Sequence, residues 1–126
     1  MKILGIDYGT KRIGLAVSDE TLTFARELDI LSPKDFWQSI KELVEREQIE
    51  RVIIGLPLNM SGGQSDKTRE VQDFSDQLQS RIAVPVEFMD ERLTSVMAQS
   101  LPGGHENIDS LAAQIILQNY LDKMKQ

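Results

Sequence analysis

The sequence predicts an α/β fold in which a mixed five-stranded sheet has helices on both faces. Three observations lead to this prediction. The first part of the chain reads as a meander of three consecutive strands rich in Ile, Leu and Val. The remainder alternates short apolar strands with segments whose apolar residues recur at helical spacing. One of those strands, Arg51–Leu56, is apolar almost without interruption, which is typical of a strand covered on both faces.

Length and composition predict a single globular domain over residues 1–126. The chain has 126 residues, of which 40% are hydrophobic and 27% charged, so it can bury a sizeable core. It has no cysteine, which excludes disulfides, thiolate metal sites and cysteine nucleophiles. No apolar run approaches the ~20 residues that span a bilayer, and no signal peptide precedes Asp7. We therefore expect a cytoplasmic protein with no membrane association.

The N-terminal elements are predicted from alternation and from a helix-start signal. Lys2–Tyr8 and Arg12–Ser18 read as the strands of a hairpin, and a third strand lies within Thr21–Leu31. Ser32 then suits a helix N-cap, with Pro33 at the first helical position. The helix that follows buries one face, because its apolar residues recur three to four positions apart.

The C-terminal elements alternate strand and helix. After Arg51–Leu56 the sequence predicts a helix over about Ser65–Arg81, a strand over Pro85–Asp90, a short helix over Leu93–Leu101 and a final helix over Asn107–Lys123. The ribonuclease-H-like fold has this order of elements, with sheet order 3-2-1-4-5 and strand 2 antiparallel to the rest. Element order alone leaves other α/β folds open.

Asp7 is the first candidate functional residue because it lies inside an apolar strand. Alternation places Ile3, Gly5 and Asp7 on one face of that strand. A carboxylate on a covered face is costly unless it is paired, hydrogen-bonded or bound to metal. Gly5 and Gly9 bracket it without side chains that would block a ligand. The alternative is an aspartate at a strand end that accepts hydrogen bonds from turn N–H groups.

Three further acids lie at the ends of predicted elements. Asp109 falls in the first turn of the last helix, on the face of the small residues Ala112 and Ala113. Acids also favour a helix N-terminus because of the helix dipole, so this position has a purely structural alternative. Asp90 and Glu91 end the fifth strand, where ligands gather in open α/β sheets. Successive residues of a strand point to opposite faces, so only one of this pair faces a site, and a solvated strand end is the alternative.

Carboxylates that converge from separate elements predict an oxygen-ligand site for Mg²⁺ or Mn²⁺. Two such ions about 3.5–4 Å apart clamp a phosphodiester for in-line attack by water. We expect weak metal binding that substrate phosphate completes, because Mg²⁺ is usually held by one or two carboxylates together with phosphates and water.

Four blocks of sequence occur in order along the chain: GIDYGTKRIG at 5–14, IGLPLNM at 54–60, DERLTS at 90–95 and DSLAAQIIL at 109–117. Together they resemble the YqgF (RuvX) family, which has a ribonuclease-H-like fold. Members were proposed as relatives of Holliday-junction resolvases and are described as nucleases for the 5′ end of precursor 16S ribosomal RNA. The four blocks are distributed over residues 5–117, which is most of the length of the chain.

The resemblance implies that Asp7, Glu91 and Asp109 are the catalytic and metal-binding acids, with Asp90 the weaker claimant beside Glu91. It implies a metal-dependent phosphodiester hydrolase acting on structured precursor ribosomal RNA. A resolvase acting on branched DNA is the close alternative. The chain departs from the family in one respect: residues 98–108 form a short stretch without Lys or Arg. That departure leaves open whether the site is active.

The net charge of −6 argues against a protein held to nucleic acid by bulk charge. The basic residues near the predicted site are Lys11, Arg12, Lys67, Arg69 and Arg92, and an ordinary solvated charge is the alternative for each. Lys11, Arg12 and Arg92 are the candidate phosphate contacts, and Arg92 could instead pair with Asp90 or Asp7. We therefore expect weak binding to naked nucleic acid, with a ribosomal particle or a homodimer supplying further contacts. The remaining alternatives are a non-catalytic binding module on the same fold and a phosphotransferase of the actin–hexokinase type, which would need two such domains.

Overall fold

The computed structural model describes residues 1–57, 66–90 and 108–125, with only the backbone of residues 108–110. The elements are β1 (Lys2–Asp7), β2 (Ile13–Ser18), β3 (Ala25–Leu31), α1 (Pro33–Arg46), β4 (Ile49–Leu56), α2 (Asp66–Gln79), β5 (Val86–Asp90) and α3 (Ile108–Met124). The short helix predicted over Leu93–Leu101 lies outside the described residues. Within the described ranges, no helix has the length and apolar character needed to cross a membrane.

The sheet has the predicted strand order β3-β2-β1-β4-β5. β2 is antiparallel to β1 and β3, β4 is parallel to β1, and β5 is parallel to β4. Ile6 pairs with Ile54 and Leu56 pairs with Asp90, so the C-terminal ends of β1, β4 and β5 lie at one edge. We call it the carboxyl edge, and the opposite one the amino edge. The predicted mixed sheet with an antiparallel second strand is confirmed.

Two helices, α1 and α2, cover one face of the sheet. α1 begins at the predicted signal: the Ser32 hydroxyl accepts a hydrogen bond from the Asp35 backbone N–H at 3.2 Å, and Pro33 occupies the first turn. Each helix buries one stripe of apolar side chains, as its periodicity predicts. The core on this face comprises Leu4, Ile6, Ile13, Leu15, Val17, Phe36, Ile40, Leu43, Ile49, Val52, Ile54, Val71, Phe74, Leu78 and Ile82.

The third helix, α3, covers the other face and approaches the sheet closely. A Cβ atom on Gly5 would lie 2.8 Å from the Cβ of Leu117 and 3.2 Å from the carbonyl oxygen of Ala113. Only glycine fits at such a distance, because real Cβ contacts essentially never fall below 3.0 Å. The small residues Ala112 and Ala113, both buried on this side of α3, allow the close approach.

Side-chain hydrogen bonds fix α3 to the edge strand β3. The Gln118 side-chain oxygen accepts from the Ala25 N–H at 2.8 Å, and its amide nitrogen donates to the Thr23 carbonyl at 2.9 Å. Gln114 donates to the Ala25 carbonyl at 3.1 Å. These bonds satisfy backbone groups at a sheet edge. Tyr120 bonds Arg51 near the start of β4, so α3 runs from the carboxyl edge toward the amino edge.

Candidate active site at the carboxyl edge

The carboxyl edge gathers the ends of the parallel strands and the beginnings of the helices. Asp7 ends β1 and Asp90 ends β5, with the end of β4 between them. α1 follows β3 at this edge, and α2 is held there by a hydrogen bond from the Thr68 hydroxyl to the Pro57 carbonyl. Helix N-termini carry partial positive charge, so three of them at one edge favour an anionic ligand.

Asp7 is half-buried and lies on the α3 face of the sheet. Ile3 and Gly5, which share its face by alternation, both pack against α3. Asp109 stands in the first turn of α3, one turn before Ala113, which is the residue in contact with Gly5. Since α3 begins at the carboxyl edge, Asp7 and Asp109 occupy the same edge and the same face of the molecule. The predicted convergence of Asp7 and Asp109 with a third acid stays a prediction, since the side chain of Asp109 lies outside the described residues.

Asp90 lies on the opposite face from Asp7. Met89 packs with the α3-side core, whereas Val86 packs with the core beneath α1 and α2. Alternation along β5 puts Asp90 on the face of Val86. Asp90 is also exposed, so it is badly placed to share an ion with Asp7. Glu91 and Arg92 lie outside the described residues.

The turn after Asp7 presents two exposed cations. Lys11 and Arg12 both point into solvent, in agreement with a phosphate-contacting role or with an ordinary solvated charge. Gly9 is required for this turn, because a Cβ there would lie 2.5 Å from the Arg12 carbonyl oxygen. The chain therefore makes a tight turn that begins two residues after Asp7, the candidate acid.

The carboxyl edge also holds a cation–aromatic contact that the sequence did not predict. Tyr8 stacks on Phe74 of α2, with ring centroids 4.5 Å apart. The Lys67 ammonium lies 5.3 Å from the centre of the Tyr8 ring. A cavity of about 230 Å³ adjoins these rings and is lined also by Trp37 and Asp73. The only signal in the sequence was the clustering of basic residues early in the predicted second helix.

Two residues with shifted pKa values, Arg51 and Tyr120, lie toward the amino edge. Tyr120 donates to Glu87 at 2.8 Å and accepts from Arg51 at 2.6 Å. Burial and the Glu87 hydrogen bond raise the pKa of the Tyr120 hydroxyl, and the Tyr120 contact raises the pKa of Arg51. This trio joins α3 to β4 and β5, so it helps to set the position of the helix that carries Asp109.

Within residues 1–57, 66–90 and 111–125, no three Asp, Glu, His or Cys side chains form a cluster that could hold an ion. Of Asp7, Glu91 and Asp109, the acids that the family resemblance implies, only Asp7 has its side chain in those ranges. The Asp7 carboxylate offers oxygen ligands and lies on a partly covered face of the sheet, and both features suit a hard divalent cation.

The chain matches the family described as "RuvX: Holliday junction resolvase" over residues 1–123. It is 38% identical over 137 aligned residues to a protein of Caldanaerobacter subterraneus, with 99% of each chain covered. It is 41% identical to a protein of Syntrophomonas wolfei, with 97% of this chain and 94% of the relative covered. Both relatives carry the name "Putative pre-16S rRNA nuclease".

Solved structures show the same fold. RuvC from Thermus thermophilus aligns with a TM-score of 0.59 at 16% identity, covering 99% of this chain and 97% of that one. The Fowlpox virus resolvase, solved with Holliday junction DNA, aligns over the full length of both chains with a TM-score of 0.51 at 14% identity. These matches support the predicted ribonuclease-H-like architecture.

Proposed function

Because this chain belongs to the RuvX family, we propose that it is a nuclease that processes the 5′ end of precursor 16S ribosomal RNA. The observation that carries the proposal is the placement of Asp7 at the carboxyl edge, on the face covered by α3. This is where a ligand reaches the ends of parallel strands. The relatives that share the full length of the chain bear the corresponding name.

We propose Asp7, Glu91 and Asp109 as the acids that hold Mg²⁺ or Mn²⁺. Asp7 and Asp109 come from elements that share one edge and one face. Asp90 lies on the other face, which supports Glu91 as the third acid. When bound, the ions would activate water and neutralise charge on the phosphodiester. The chain's own contribution is to hold the acids in place through β1 and α3.

Substrate phosphates would be met by Lys11, Arg12 and Arg92. The two described members of this set are exposed beside Asp7, where they can reach the backbone of a bound strand. With a net charge of −6, few phosphates are neutralised. Affinity for naked nucleic acid is therefore weak, and structured RNA in a ribosomal particle supplies the remaining contacts. Metal affinity is likewise weak without substrate phosphate.

The test compares two isosteric substitutions at the same edge. Asp7→Asn should abolish Mg²⁺- or Mn²⁺-dependent cleavage of a precursor 16S fragment. Asp90→Asn should leave it close to wild type, since Asp90 faces the other side of the sheet. Cleavage that survives Asp7→Asn would point to a contaminating nuclease and to a non-catalytic binding module. Cleavage lost only in Asp90→Asn would reassign the site.

A Holliday-junction resolvase is the second candidate, favoured by the description of the matching family. It would use the same acids and the same metal on branched DNA. Parallel assays on a four-way junction and on the precursor RNA fragment separate the two. Junction-specific binding and symmetric cleavage by the isolated protein would establish the resolvase.

We also propose that residues 1–126 form one nuclease domain located in the cytoplasm. The core beneath α1 and α2 extends from Leu4 to Ile82 and the core beneath α3 from Ile3 to Leu121, and both include residues of β1 and β4. A homodimer would add basic surface to the site. Sedimentation at several concentrations tests that association.

A further inference from the structure

Lys67 differs from the other basic side chains that the structure describes. Lys2, Arg51 and Lys67 are partly buried, and the rest of the described set is exposed. Lys2 pairs with Glu47 at 3.4 Å, and Arg51 pairs with Glu87 at 3.7 Å. Across the described ranges, Lys67 makes no ion pair, and its ammonium contacts only the face of the Tyr8 ring. A partly desolvated cation that has no carboxylate partner favours an anionic ligand, because the ligand would offset the cost of desolvating the charge.

The position of Lys67 directs that cation to the carboxyl edge. It occupies the first turn of α2, which the hydrogen bond from Thr68 to Pro57 fixes at the end of β4. Tyr8, which holds the ammonium, directly follows Asp7 at the end of β1. Glu70, one turn along α2, lines the neighbouring cavity and does not pair with Lys67. The cation thus lies at the same edge as Asp7, but on the face of β1 that packs against α1 and α2.

We propose that Lys67 binds a phosphate of the nucleic-acid strand that occupies the carboxyl edge. The inference rests on the proposed function, because it requires a nucleic-acid strand at Asp7. The ring of Tyr8 attracts the ammonium but offers it no strong acceptor, so its N–H groups can turn to phosphate oxygens. The contact also restrains the long side chain before substrate arrives, which lowers the entropy lost on binding. The side chains of Lys11 and Arg12, by contrast, are exposed to solvent.

The experiment measures binding as a function of salt in the full chain carrying Asp7→Asn, with a precursor 16S fragment and EDTA. Lys67→Met keeps the aliphatic stem over Tyr8 and removes the charge. It should lower the slope of log affinity against log salt by about 0.7–0.9, the contribution of one phosphate contact. Affinity at low salt should fall about 3- to 10-fold. Lys67→Arg should restore the slope, and Lys123→Met, in the last turn of α3, should leave it unchanged.

The outcomes separate this inference from the proposed function. An unchanged slope in a folded Lys67→Met protein overturns the assignment, as does an equal fall in Lys123→Met. If Lys67→Met lowers the slope while the wild-type chain cleaves nothing, the nuclease proposal fails and the phosphate contact stands. If cleavage depends on Asp7 but Lys67→Met leaves the salt slope unchanged, only the assignment of the phosphate contact is refuted. Absence of any salt-dependent binding refutes both.

Discussion

The closest contact between α3 and the sheet provides a direct test of how the site is held. In Gly5→Ala, the new methyl group would lie 2.8 Å from the Leu117 Cβ, which is bound rigidly to the helix backbone. Reaching the 3.4 Å of an ordinary contact requires α3 to recede by about 0.6 Å. Overpacking of this kind costs about 1–3 kcal/mol, or a Tm lower by about 4–11 °C for a chain of this length. Because α3 carries Asp109, the shift also separates that residue from Asp7.

The assay compares cleavage of a precursor 16S fragment with thermal unfolding of the same variants. A misplacement approaching 1 Å at a catalytic group costs on the order of 10- to 100-fold in rate, so Gly5→Ala should lose at least tenfold while remaining folded. Ile53→Val is the matched control: it removes one methylene from the same core at a cost of about 0.5–1.5 kcal/mol without pushing the helix. If Gly5→Ala loses stability but cleaves as well as Ile53→Val, the spacing of β1 and α3 does not set the site.

Three further predictions concern stability and are checked by thermal unfolding. Hydrogen bonds, chiefly from Thr21, lower the pKa of Asp19 from 3.8 to about 2; its carboxylate therefore stabilises the fold above pH 3.8 and loses that contribution as the pH falls toward 2. Asp19→Asn should accordingly be less stable than wild type at pH 7, with the difference shrinking near pH 2; a constant difference would contradict this. Tyr120→Phe should cost about 0.5–1.5 kcal/mol, since it removes the hydroxyl shared by Arg51 and Glu87, and an unchanged Tm would show that those two residues pair equally well without it. Ser32→Ala should cost about 0.5–2 kcal/mol through loss of the α1 cap, and no loss would mean that water replaces the hydroxyl.

Local periodicity was sufficient to predict the sheet and the face on which Asp7 lies. The alternation of Ile3, Gly5 and Asp7 is a property of β1 alone, and the small-residue stripe at Ala112 and Ala113 is a property of α3 alone. Each pattern fixes which side of its own element must be covered. Once the strand order is known, the two covered sides can meet only on one face of the sheet. The backbone of the site therefore follows from short-range signals.

The choice between Asp90 and Glu91 could not be made in the same way. β5 is an edge strand that is partly exposed on both faces, so its sequence, VEFMD, lacks a clear alternation between apolar and polar residues. The face of Asp90 became apparent only from the packing of Val86 and Met89 against different cores. The contact of Lys67 with Tyr8 was equally inaccessible, because it joins α2 to β1 and depends on a side-chain conformation that no local pattern determines.

The short stretch before Asp109 affects the charge near the candidate site more than it affects the geometry of that site. The position of α3 is set by contacts that do not involve residues 98–107: the packing of Leu117 on Gly5, the glutamine bonds to β3 and the bonds made by Tyr120. These contacts extend along the helix, and its first turn continues from the part that they hold. The segment holds no Lys or Arg, so it adds no positive charge beside the candidate site. Introducing two lysines within residues 98–107 should therefore raise the salt slope of RNA binding by about 1.4–1.8 without changing the Tm or the dependence on Asp7. A large fall in Tm, or a cleavage activity that no longer requires Asp7, would show that the segment does position the helix.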